Sequence, residues 1–367
     1  MIISVINTVL IVAAISGLLA LLLVIADLLF ANYGEMKITI NGKKELVVKG
    51  GSSLLGLLND NKIYLASACG GRGSCGFCKC KVNSGGGPLL PTEKPFLTPQ
   101  EIEDNIRLSC QIKVKEDIFI EIPENIFNVQ KYKAVVTEIK DLTYDIKELT
   151  LKLQEPASIN FKAGQYVQLE SPPYEKSRQS ASRAYSISSS PDNQHFIQLI
   201  IRLVPAGICT TYIFDYLKSG DEINFTGPFG DFSIRDSQAD MLFIAGGSGK
   251  APIKSMVEYL YQHGSKRRMI YMFGARTRKD LYYTELFQDL EKKMVNFTYV
   301  PILSQPTEEC EWKGKCGYVT PFFPEYIRDP QNTEAYLCGS PGMIAAVIKG
   351  LKSNGINEAN IFYDSFA

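Results

Sequence analysis

The stretch Cys69-Gly-Gly-Arg-Gly-Ser-Cys75-Gly-Phe-Cys78 places three thiols in one glycine-rich loop. A fourth thiol, Cys110, follows further along the chain in the sequence Arg107-Leu-Ser-Cys-Gln111. Thiolates spaced C-x5-C-x2-C and completed by a distant cysteine suit an iron–sulfur cluster. Glycine lets the backbone approach the cluster closely, so that its sulfurs receive N–H hydrogen bonds. The pattern predicts that Cys69, Cys75, Cys78 and Cys110 bind one [2Fe-2S] cluster.

Other uses of these cysteines fit the pattern less well. A zinc site usually has two short C-x2-C arms, and the second arm here has one cysteine. A disulfide framework is not expected in a long chain with nine cysteines, an odd number. A four-iron cluster would favour the run C-x2-C-x2-C, which the sequence lacks. Cys80 belongs to the alternating run Cys80-Lys-Val82, so we expect its side chain to enter the domain core rather than bind iron.

Size and composition set broad limits on the function. A chain of 367 residues is expected to hold two or three domains. Its formal net charge is zero, which argues against a general nucleic-acid binder. The two histidines, His195 and His263, stand in no recognisable constellation, so we expect them at the surface rather than in catalysis or metal binding.

The N-terminus carries no charged residue from Met1 to Ala26. This length is sufficient for one helix across a bilayer, so residues 1–32 are predicted to form a single-pass membrane anchor. A signal peptide would have a basic start and a small-residue cleavage site, and a buried core helix of this length is rare. Basic residues follow the apolar run but do not precede it, which places the remaining domains in the cytoplasm, at the inner membrane.

Residues 33–128 are predicted to form a small ferredoxin domain of the β-grasp kind. A hairpin turns at Asn41-Gly42, and Ser53 to Leu58 reads as a short helix. Thr98-Pro-Gln-Glu101 has the features of a helix start, with a capping threonine, proline at the first position and glutamate at the third. The strand-like run Ile118 to Ile122 closes the unit.

Residues 129–236 are rich in short alternating segments separated by turn residues, which predicts an antiparallel β-barrel. Three motifs stand out there. Arg183-Ala-Tyr-Ser186 lies at a strand end, Gly207-Ile-Cys-Thr-Thr-Tyr212 opens a helix, and Gly227-Pro-Phe-Gly230 is expected to form a tight turn.

Residues 237–367 alternate strand and helix, as expected of an α/β domain with a parallel sheet. The strand Met241 to Ala245 is followed by Gly246-Gly-Ser-Gly-Lys-Ala-Pro252 and a helix from Ile253. A glycine loop between a first strand and its helix offers free N–H groups to a pyrophosphate. We therefore expect Gly246, Gly247, Gly249 and Pro252 to contact a dinucleotide, although a glycine-rich turn alone is structurally ordinary.

Together these motifs resemble the ferredoxin–NADP reductase superfamily fused to a plant-type-like ferredoxin. By that resemblance, Arg183 pairs with the flavin diphosphate, Tyr185 stacks on the isoalloxazine and Ser186 hydrogen-bonds near N5. Gly207, Cys209 and Thr210 would hold the diphosphate as well. Cys338 and Gly339, with Pro341, match the C-G-x-P segment beside the nicotinamide. The implied cofactors are FAD, the [2Fe-2S] cluster and NADH, with Ser186, Tyr185, Cys338 and Phe366 at the reacting centre.

The order of parts resembles the F subunits of sodium-translocating NADH:quinone oxidoreductases. This implies a membrane-anchored NADH dehydrogenase that passes single electrons through the cluster to other membrane subunits. Such an arrangement makes chemical sense, because NADH releases two electrons together, a two-iron cluster accepts one, and FAD converts between them. A reductase that feeds an oxygenase or another redox protein is the main alternative. A membrane-anchored binding protein without redox function is a third.

Two further expectations rest on this resemblance. Phe366, next to the chain end, would lie flat against the isoalloxazine as a gate for the nicotinamide, whereas a terminal residue can also simply fray. NADH would be preferred over NADPH. Arg276, Arg278 and Lys279 follow the second strand of the nucleotide domain, where cations favour a 2′-phosphate, and Asp280 would offset them.

Overall fold

The computed structural model describes residues 2–30, 33–67, 69–306 and 311–366, with side chains described except at positions 2–6, 8, 9, 23, 26–30 and 125. Cys310 therefore lies outside the described residues. The chain divides into two compact units, Met1–Asn128 and Val129–Ala367.

The first unit contains a mixed five-stranded sheet with the strand order β2-β1-β5-β3-β4. Its strands are β1 (Glu35–Ile40), β2 (Lys44–Lys49), β3 (Lys79–Ser84), β4 (Ile106–Leu108) and β5 (Ile118–Glu121). β1 pairs in antiparallel fashion with β2 and in parallel with β5, as in a β-grasp fold. Two short helices complete it: α2 (Leu54–Asp60), capped by Ser53, and α3 (Pro99–Glu103), whose Thr98–Glu101 capping box was predicted.

The first unit also contains α1 (Ile2–Phe30), which corresponds to the predicted membrane anchor. Among the residues whose side chains are described, no helix is long and apolar enough to cross a membrane.

The second unit begins with a six-stranded antiparallel sheet in the order β10-β7-β6-β11-β8-β9. Its strands are β6 (Gln130–Thr143), β7 (Ile146–Glu155), β8 (Tyr166–Ser171), β9 (Ala181–Ser186), β10 (Phe196–Arg202) and β11 (Glu222–Phe229), with α4 (Ile208–Asp215) after β10. A bridge between Ile187 and Leu199 joins the two ends of the sheet, which therefore curls into the predicted barrel around an apolar core.

The rest of this unit is a six-stranded parallel sheet in the order β15-β14-β13-β12-β16-β17. Its strands are β12 (Asp240–Gly246), β13 (Met269–Ala275), β14 (Phe297–Leu303), β15 (Lys315–Cys316), β16 (Thr333–Gly339) and β17 (Ile361–Ser365). The helices are α5 (Lys250–Gln262), α6 (Thr284–Lys293), α7 (Phe323–Tyr326) and α8 (Pro341–Ser353). Apolar clusters cover both faces of the sheet, which explains why the central strands are apolar throughout.

Three details differ from the sequence-based expectations. Gly227, Pro228 and Phe229 lie within β11 at an irregularity in its pairing with β8, so this motif is part of a bulged strand and not a tight turn. α5 begins at Lys250, three residues before the expected start at Ile253, because the turn Gly247–Gly249 leads directly into it. The two-residue strand β15 was not anticipated, since so short a segment has no periodicity to detect.

Candidate cofactor sites

The four predicted cluster ligands lie together in the first unit as two pairs of thiols. Cys75 Sγ lies 3.4 Å from Cys69 Sγ, and the Cys78 thiol donates a hydrogen bond to the sulfur of Cys110. Within the described residues no three metal-binding side chains converge on one point. A [2Fe-2S] cluster is held by four thiolates, two for each iron. Two pairs of thiols therefore fit the predicted group.

Hydrogen bonds favour the thiolate form in each pair. Burial alone would raise the pKa of Cys69, but hydrogen bonds from Ser74 and the Cys75 thiol lower it to about 6. The hydrogen bond from Cys78 lowers the pKa of Cys110 to about 7. Burial raises the pKa of Cys75, and donation to Cys110 raises the pKa of Cys78. One cysteine of each pair thus favours the thiolate, which is the form that binds metal.

The loop requires glycine at specific positions. Gly70, Gly71, Gly73 and Gly76 all have left-handed backbone conformations. A side chain at Gly76 would also lie 2.9 Å from Cβ of Phe96, and one at Gly73 would meet the amide of Gln111. These positions require glycine for its left-handed backbone conformation, and two of them also for close packing against side chains. That the backbone approaches a cluster there stays a prediction.

A buried ion pair holds the strand that leads to Cys110. Arg107 donates to Glu93 at 2.7 Å, and to the carbonyl oxygens of Gly87 at 2.9 Å and Pro88 at 3.0 Å. Burial would raise the pKa of Glu93, but the bonds from Arg107 and two backbone N–H groups hold it below its usual value. Ser109 N donates to Cys78 O at 2.9 Å, which brings Cys78 and Cys110 together. The pair therefore fixes the distant ligand relative to the loop.

Cys80 lies in the core of this unit, as predicted. It is 3% exposed, and it stands opposite Arg107 in the β3–β4 register. Burial raises the pKa of its thiol to about 12. A neutral thiol among apolar side chains behaves as a small hydrophobic residue. That Cys80 does not bind iron stays a prediction.

In the second unit, the predicted flavin motif forms the end of β9. Arg183 donates to Ser182 O, and the buried hydroxyl of Tyr185 has no hydrogen-bond partner among the described residues. Buried polar atoms without partners are rare in folded proteins and are usually satisfied by a ligand or water. The unpaired hydroxyl of Tyr185 is therefore consistent with a polar ligand beside β9, as the flavin prediction requires.

The second part of the flavin motif lies at the start of α4. Gly207 is the N-cap, and the N–H groups of a helix's first turn have no partner within the helix, which suits a diphosphate. The Thr210 hydroxyl bonds the backbone of Val204 and Gly207, and the Cys209 thiol contacts Ala181 O at 3.0 Å. Both side chains thus hold α4 in place. The groups suited to bind an anion are the backbone N–H groups of this first turn.

The predicted dinucleotide loop meets the predicted nicotinamide segment. Gly249 packs so closely on the backbone of Cys338 and Gly339 that a Cβ atom there would overlap the Cys338 carbonyl. Gly247 has a left-handed conformation, with φ of 56°. Pro252 is buried in the first turn of α5 and does not reach the surface of the loop. The structure therefore brings Gly246, Gly247, Gly249, Cys338 and Gly339 to one edge of the sheet.

The sequence analysis missed Asp364, which lies beside Ser186. Ser186 hydrogen-bonds the Asp364 carboxylate, and Asp364 is also the register partner of the fully buried Cys338. Burial raises the pKa of Asp364 to about 6 and keeps the Cys338 thiol neutral. The sequence alone does not indicate this position of Asp364, because the residues that it contacts are distant in the chain.

Phe366 is held at this same place. Its N–H donates to Gly339 O at 2.9 Å, and its ring packs partly against the core of the nucleotide sheet. Phe366 is therefore attached to the sheet and not frayed. Whether its ring stacks on a flavin stays a prediction.

The residues predicted to set the preference for NADH lie after β13. The Asp280 carboxylate accepts hydrogen bonds from Thr277 N at 2.8 Å and from the Tyr144 hydroxyl at 3.0 Å. Burial would raise its pKa, but the bonds from Thr277 outweigh burial and lower it, so Asp280 keeps its negative charge. A fixed anion there disfavours a 2′-phosphate, and the preference for NADH stays a prediction.

Three protein families match consecutive parts of the chain. The 2Fe-2S iron-sulfur cluster binding domain matches residues 38–115, the oxidoreductase FAD-binding domain matches residues 133–234, and the oxidoreductase NAD-binding domain matches residues 243–349. Each match contains the cofactor site that the geometry indicates in that part of the chain.

Similar proteins also match over nearly the whole chain. The chain is 37% identical to the F subunit of the Na(+)-translocating NADH-quinone reductase of Marinomonas sp., over 91% of each chain. It is also 37% identical to the protein of the same name in Pseudomonas aeruginosa, over 96% of each. Among solved structures, an Amycolatopsis cytochrome P450 reductase matches with a TM-score of 0.73 and 27% identity, over 90% of this chain and 98% of that one. The ferredoxin reductase in carbazole 1,9a-dioxygenase shares the fold, with a TM-score of 0.70 and 24% identity, over 91% of this chain and 99% of that one.

Proposed function

The chain belongs to the family of F subunits of the Na(+)-translocating NADH-quinone reductases, and we propose that it delivers electrons from NADH to other subunits of such a complex. It is an NADH oxidoreductase that depends on FAD and a [2Fe-2S] cluster. When bound, FAD supplies the conversion between the two-electron chemistry of NADH and the one-electron chemistry of the cluster. The protein's own contribution is to bind and orient these groups.

The observation that best supports this function is the meeting of the flavin strand with the nucleotide sheet. Ser186, at the end of β9, hydrogen-bonds Asp364 at the end of β17. Just beyond Ser186, Ser255 of α5 donates to Ser189 O at 2.6 Å, and Lys254 donates to Ser188 O at 3.3 Å. Two side chains of the helix that follows the glycine loop thus hydrogen-bond the backbone that follows the flavin motif. A nicotinamide at Cys338 would lie beside a flavin at Ser186.

A direct test uses the full chain loaded with FAD, iron and sulfide. We expect absorption bands of both flavin and cluster, and bleaching of the flavin band when NADH is added. Measurement of kcat/KM for NADH and NADPH tests the nucleotide preference in the same preparation. Absence of the flavin band, or no bleaching by NADH, would refute the proposed function.

We further propose that the N-terminal segment anchors the chain in the inner membrane, with the redox domains in the cytoplasm. The support is the uncharged run from Met1 to Ala26, which exceeds the length of about 20 residues that a bilayer requires. The positive-inside tendency supports the orientation, since Lys37, Lys43 and Lys44 follow the run.

The anchor is tested by alkaline extraction of membranes from cells that express the full chain. We expect the wild-type chain to remain with the lipid, and the variant Leu18→Lys/Leu22→Lys to be released, because each central lysine costs about 3 kcal/mol on insertion. The exposed substitution Val295→Lys provides a control for added charge alone. Release of the wild-type chain would contradict the anchor.

A reductase for an oxygenase remains the second candidate, because the Amycolatopsis cytochrome P450 reductase covers 90% of this chain. Cross-linking in native membranes separates the two. Capture of membrane subunits supports the first proposal, whereas capture of a soluble oxygenase supports the second.

A pH dependence follows from Asp364. Its folded-state pKa of about 6 lies above the ordinary value of 3.8, so the folded state binds its proton more tightly than the unfolded state. The protonated Asp364 carboxyl therefore contributes its full stabilisation below pH about 4, and this stabilisation is lost as the pH rises through about 6. Over this pH window, we expect the free energy of unfolding of wild type to fall by at most about 3 kcal/mol relative to that of Asp364→Asn. Thermal unfolding at several pH values measures the difference.

The matched control is Asp289→Asn, since Asp289 is an exposed carboxylate paired with Lys292. It should leave the wild-type pH profile unchanged. If Asp364→Asn has the same profile as wild type, the carboxyl does not titrate in this window.

A further inference from the structure

We propose that the consecutive residues Tyr282 and Tyr283 are positioning residues that join the nucleotide loop to the flavin barrel. The Tyr282 hydroxyl fixes the glycine loop for NADH binding, and the Tyr283 hydroxyl fixes the nucleotide sheet against the barrel for electron transfer. This inference rests on the proposed NADH and FAD sites and assigns residues that the sequence motifs do not include.

Tyr282 contacts the glycine loop directly. It is 6% exposed, and its hydroxyl donates to Gly247 O at 2.7 Å. Gly247 is the loop residue with the left-handed conformation, so its peptide orientation depends on what holds its carbonyl. A loop that binds pyrophosphate must aim its N–H groups at the ligand. The Tyr282 hydroxyl therefore acts on the orientation of those groups.

Lys250 holds Tyr282 in turn. It is fully buried, and its Nζ donates to Tyr282 O at 2.6 Å. The Phe273 ring centroid lies 3.6 Å from Nζ, and none of the described ion pairs includes Lys250. Burial lowers the pKa of Lys250 well below its ordinary value. A buried amine is costly unless its hydrogen bonds are made, so its bond to Tyr282 O locks this peptide.

Tyr283 contacts the flavin barrel, whereas Tyr282 contacts the glycine loop. Its hydroxyl donates at 2.6 Å to Glu148, a residue of β7 that is 5% exposed. Gln198 of β10 donates to the same carboxylate oxygen at 3.4 Å and accepts from Lys254 of α5 at 3.3 Å. The hydroxyl thus enters a buried polar network that joins two barrel strands to helix α5 of the nucleotide domain.

The backbone between the two rings is strained. Tyr283 has a φ of 56°, in the left-handed region that bulky residues rarely adopt, at a cost of about 1–3 kcal/mol. The surrounding contacts must offset this cost, and the two hydroxyl bonds point in different directions from the strained position. Because misplacement by about 1 Å can slow a reaction about a hundredfold, such a connection suits control of the distance between nicotinamide and flavin.

The test compares Tyr282→Phe and Tyr283→Phe in the full chain loaded with FAD and cluster, by rapid mixing with NADH. Tyr282→Phe should raise the Kd for NADH about tenfold and leave the limiting rate of flavin bleaching within about twofold. Tyr283→Phe should lower that rate about tenfold and leave the Kd within about twofold. Lys250→Met should also raise the Kd for NADH, because Lys250 holds the Tyr282 peptide and acts on the loop through it. The double variant Lys250→Met/Tyr282→Phe should therefore bind NADH about as well as Tyr282→Phe alone.

Tyr336→Phe is the matched control. Its buried hydroxyl donates to Glu334 at 2.7 Å, a bond of the same kind in the same domain. It should lower the Tm and leave Kd and limiting rate unchanged, which separates positioning from a loss of stability. Glu148→Gln keeps an acceptor for Tyr283 and should retain most of the rate, whereas Glu148→Leu should match Tyr283→Phe.

Two results would overturn the inference: wild-type kinetics in both phenylalanine variants, or the same change in Kd and rate in both. If wild type itself shows no bleaching by NADH, the proposed function has failed, and this inference fails with it. Bleaching in wild type with unchanged variants refutes the inference alone.

Discussion

Cys110→Ala is expected to abolish the paramagnetic signal of the reduced two-iron cluster while NADH still bleaches the flavin. Cys110 pairs with Cys78 through their sulfurs, so alanine leaves one side of the predicted cluster with a single thiolate. The flavin and nucleotide sites belong to the other compact unit and should keep their function. Electron paramagnetic resonance of the reduced protein, with analysis of iron and sulfide, measures the loss.

Cys80→Ala is the control for this experiment. Cys80 is buried in the core of the same unit, so its removal leaves a small cavity that costs on the order of 1 kcal/mol. Its cluster signal should equal that of wild type. A signal that persists in Cys110→Ala, or one that disappears in Cys80→Ala, would assign the ligands differently.

The sequence supports a specific prediction for the cluster ligands because most of the information on that site is local. Three of the four thiols and the left-handed glycines lie between Cys69 and Cys78, and the fourth thiol lies in the short run Arg107-Leu-Ser-Cys-Gln111. The ion pair of Arg107 with Glu93 could not be predicted in the same way. Charged residues are mostly exposed, and nothing in the sequence indicates that this pair is buried.

The second unit shows the limit of motif reading more clearly. The motif Arg183 to Ser186 predicts a flavin strand, but its partner Asp364 is contributed by the last strand of the other sheet. Tyr282 and Tyr283 appear in the sequence as two aromatic residues before a helix, which is ordinary core composition. Only the fold shows that one reaches Gly247 and the other reaches Glu148.

The glycine loop lies between these two cases. A run such as Gly246-Gly-Ser-Gly249 is common in turns, so the sequence alone gives weak support for a nucleotide site. The structure adds the contact of Gly249 with Cys338 and Gly339, which no spacing rule contains. Because of that contact, glycine is specifically required at position 249.

Gly249→Ala is therefore expected to reduce the NADH-dependent bleaching of the flavin about a hundredfold or more, with FAD still bound. The new Cβ atom would overlap the Cys338 carbonyl and lie 2.9 Å from Gly339 N. Cys338 cannot move aside easily, because it is paired with Ala245 on one side and Asp364 on the other. The glycine loop must then shift, and with it the N–H groups that face the pyrophosphate. Rapid mixing with NADH measures the loss.

Gly342→Ala provides the matched control for this last substitution. Gly342 lies in the first turn of α8, and a Cβ atom there has nothing within 4 Å. It should bind NADH and bleach the flavin as wild type does, and its helix should be slightly more stable, since alanine is favoured over glycine in helices by about 1 kcal/mol. If Gly249→Ala bleaches as fast as Gly342→Ala, the close packing on Cys338 does not form the nucleotide site. If both variants lose FAD, the substitutions disturb the fold and not the loop. Loss of bleaching confined to Gly249→Ala, with FAD retained, would show that the close packing of the glycine loop on Cys338 is required for NADH to reduce the flavin.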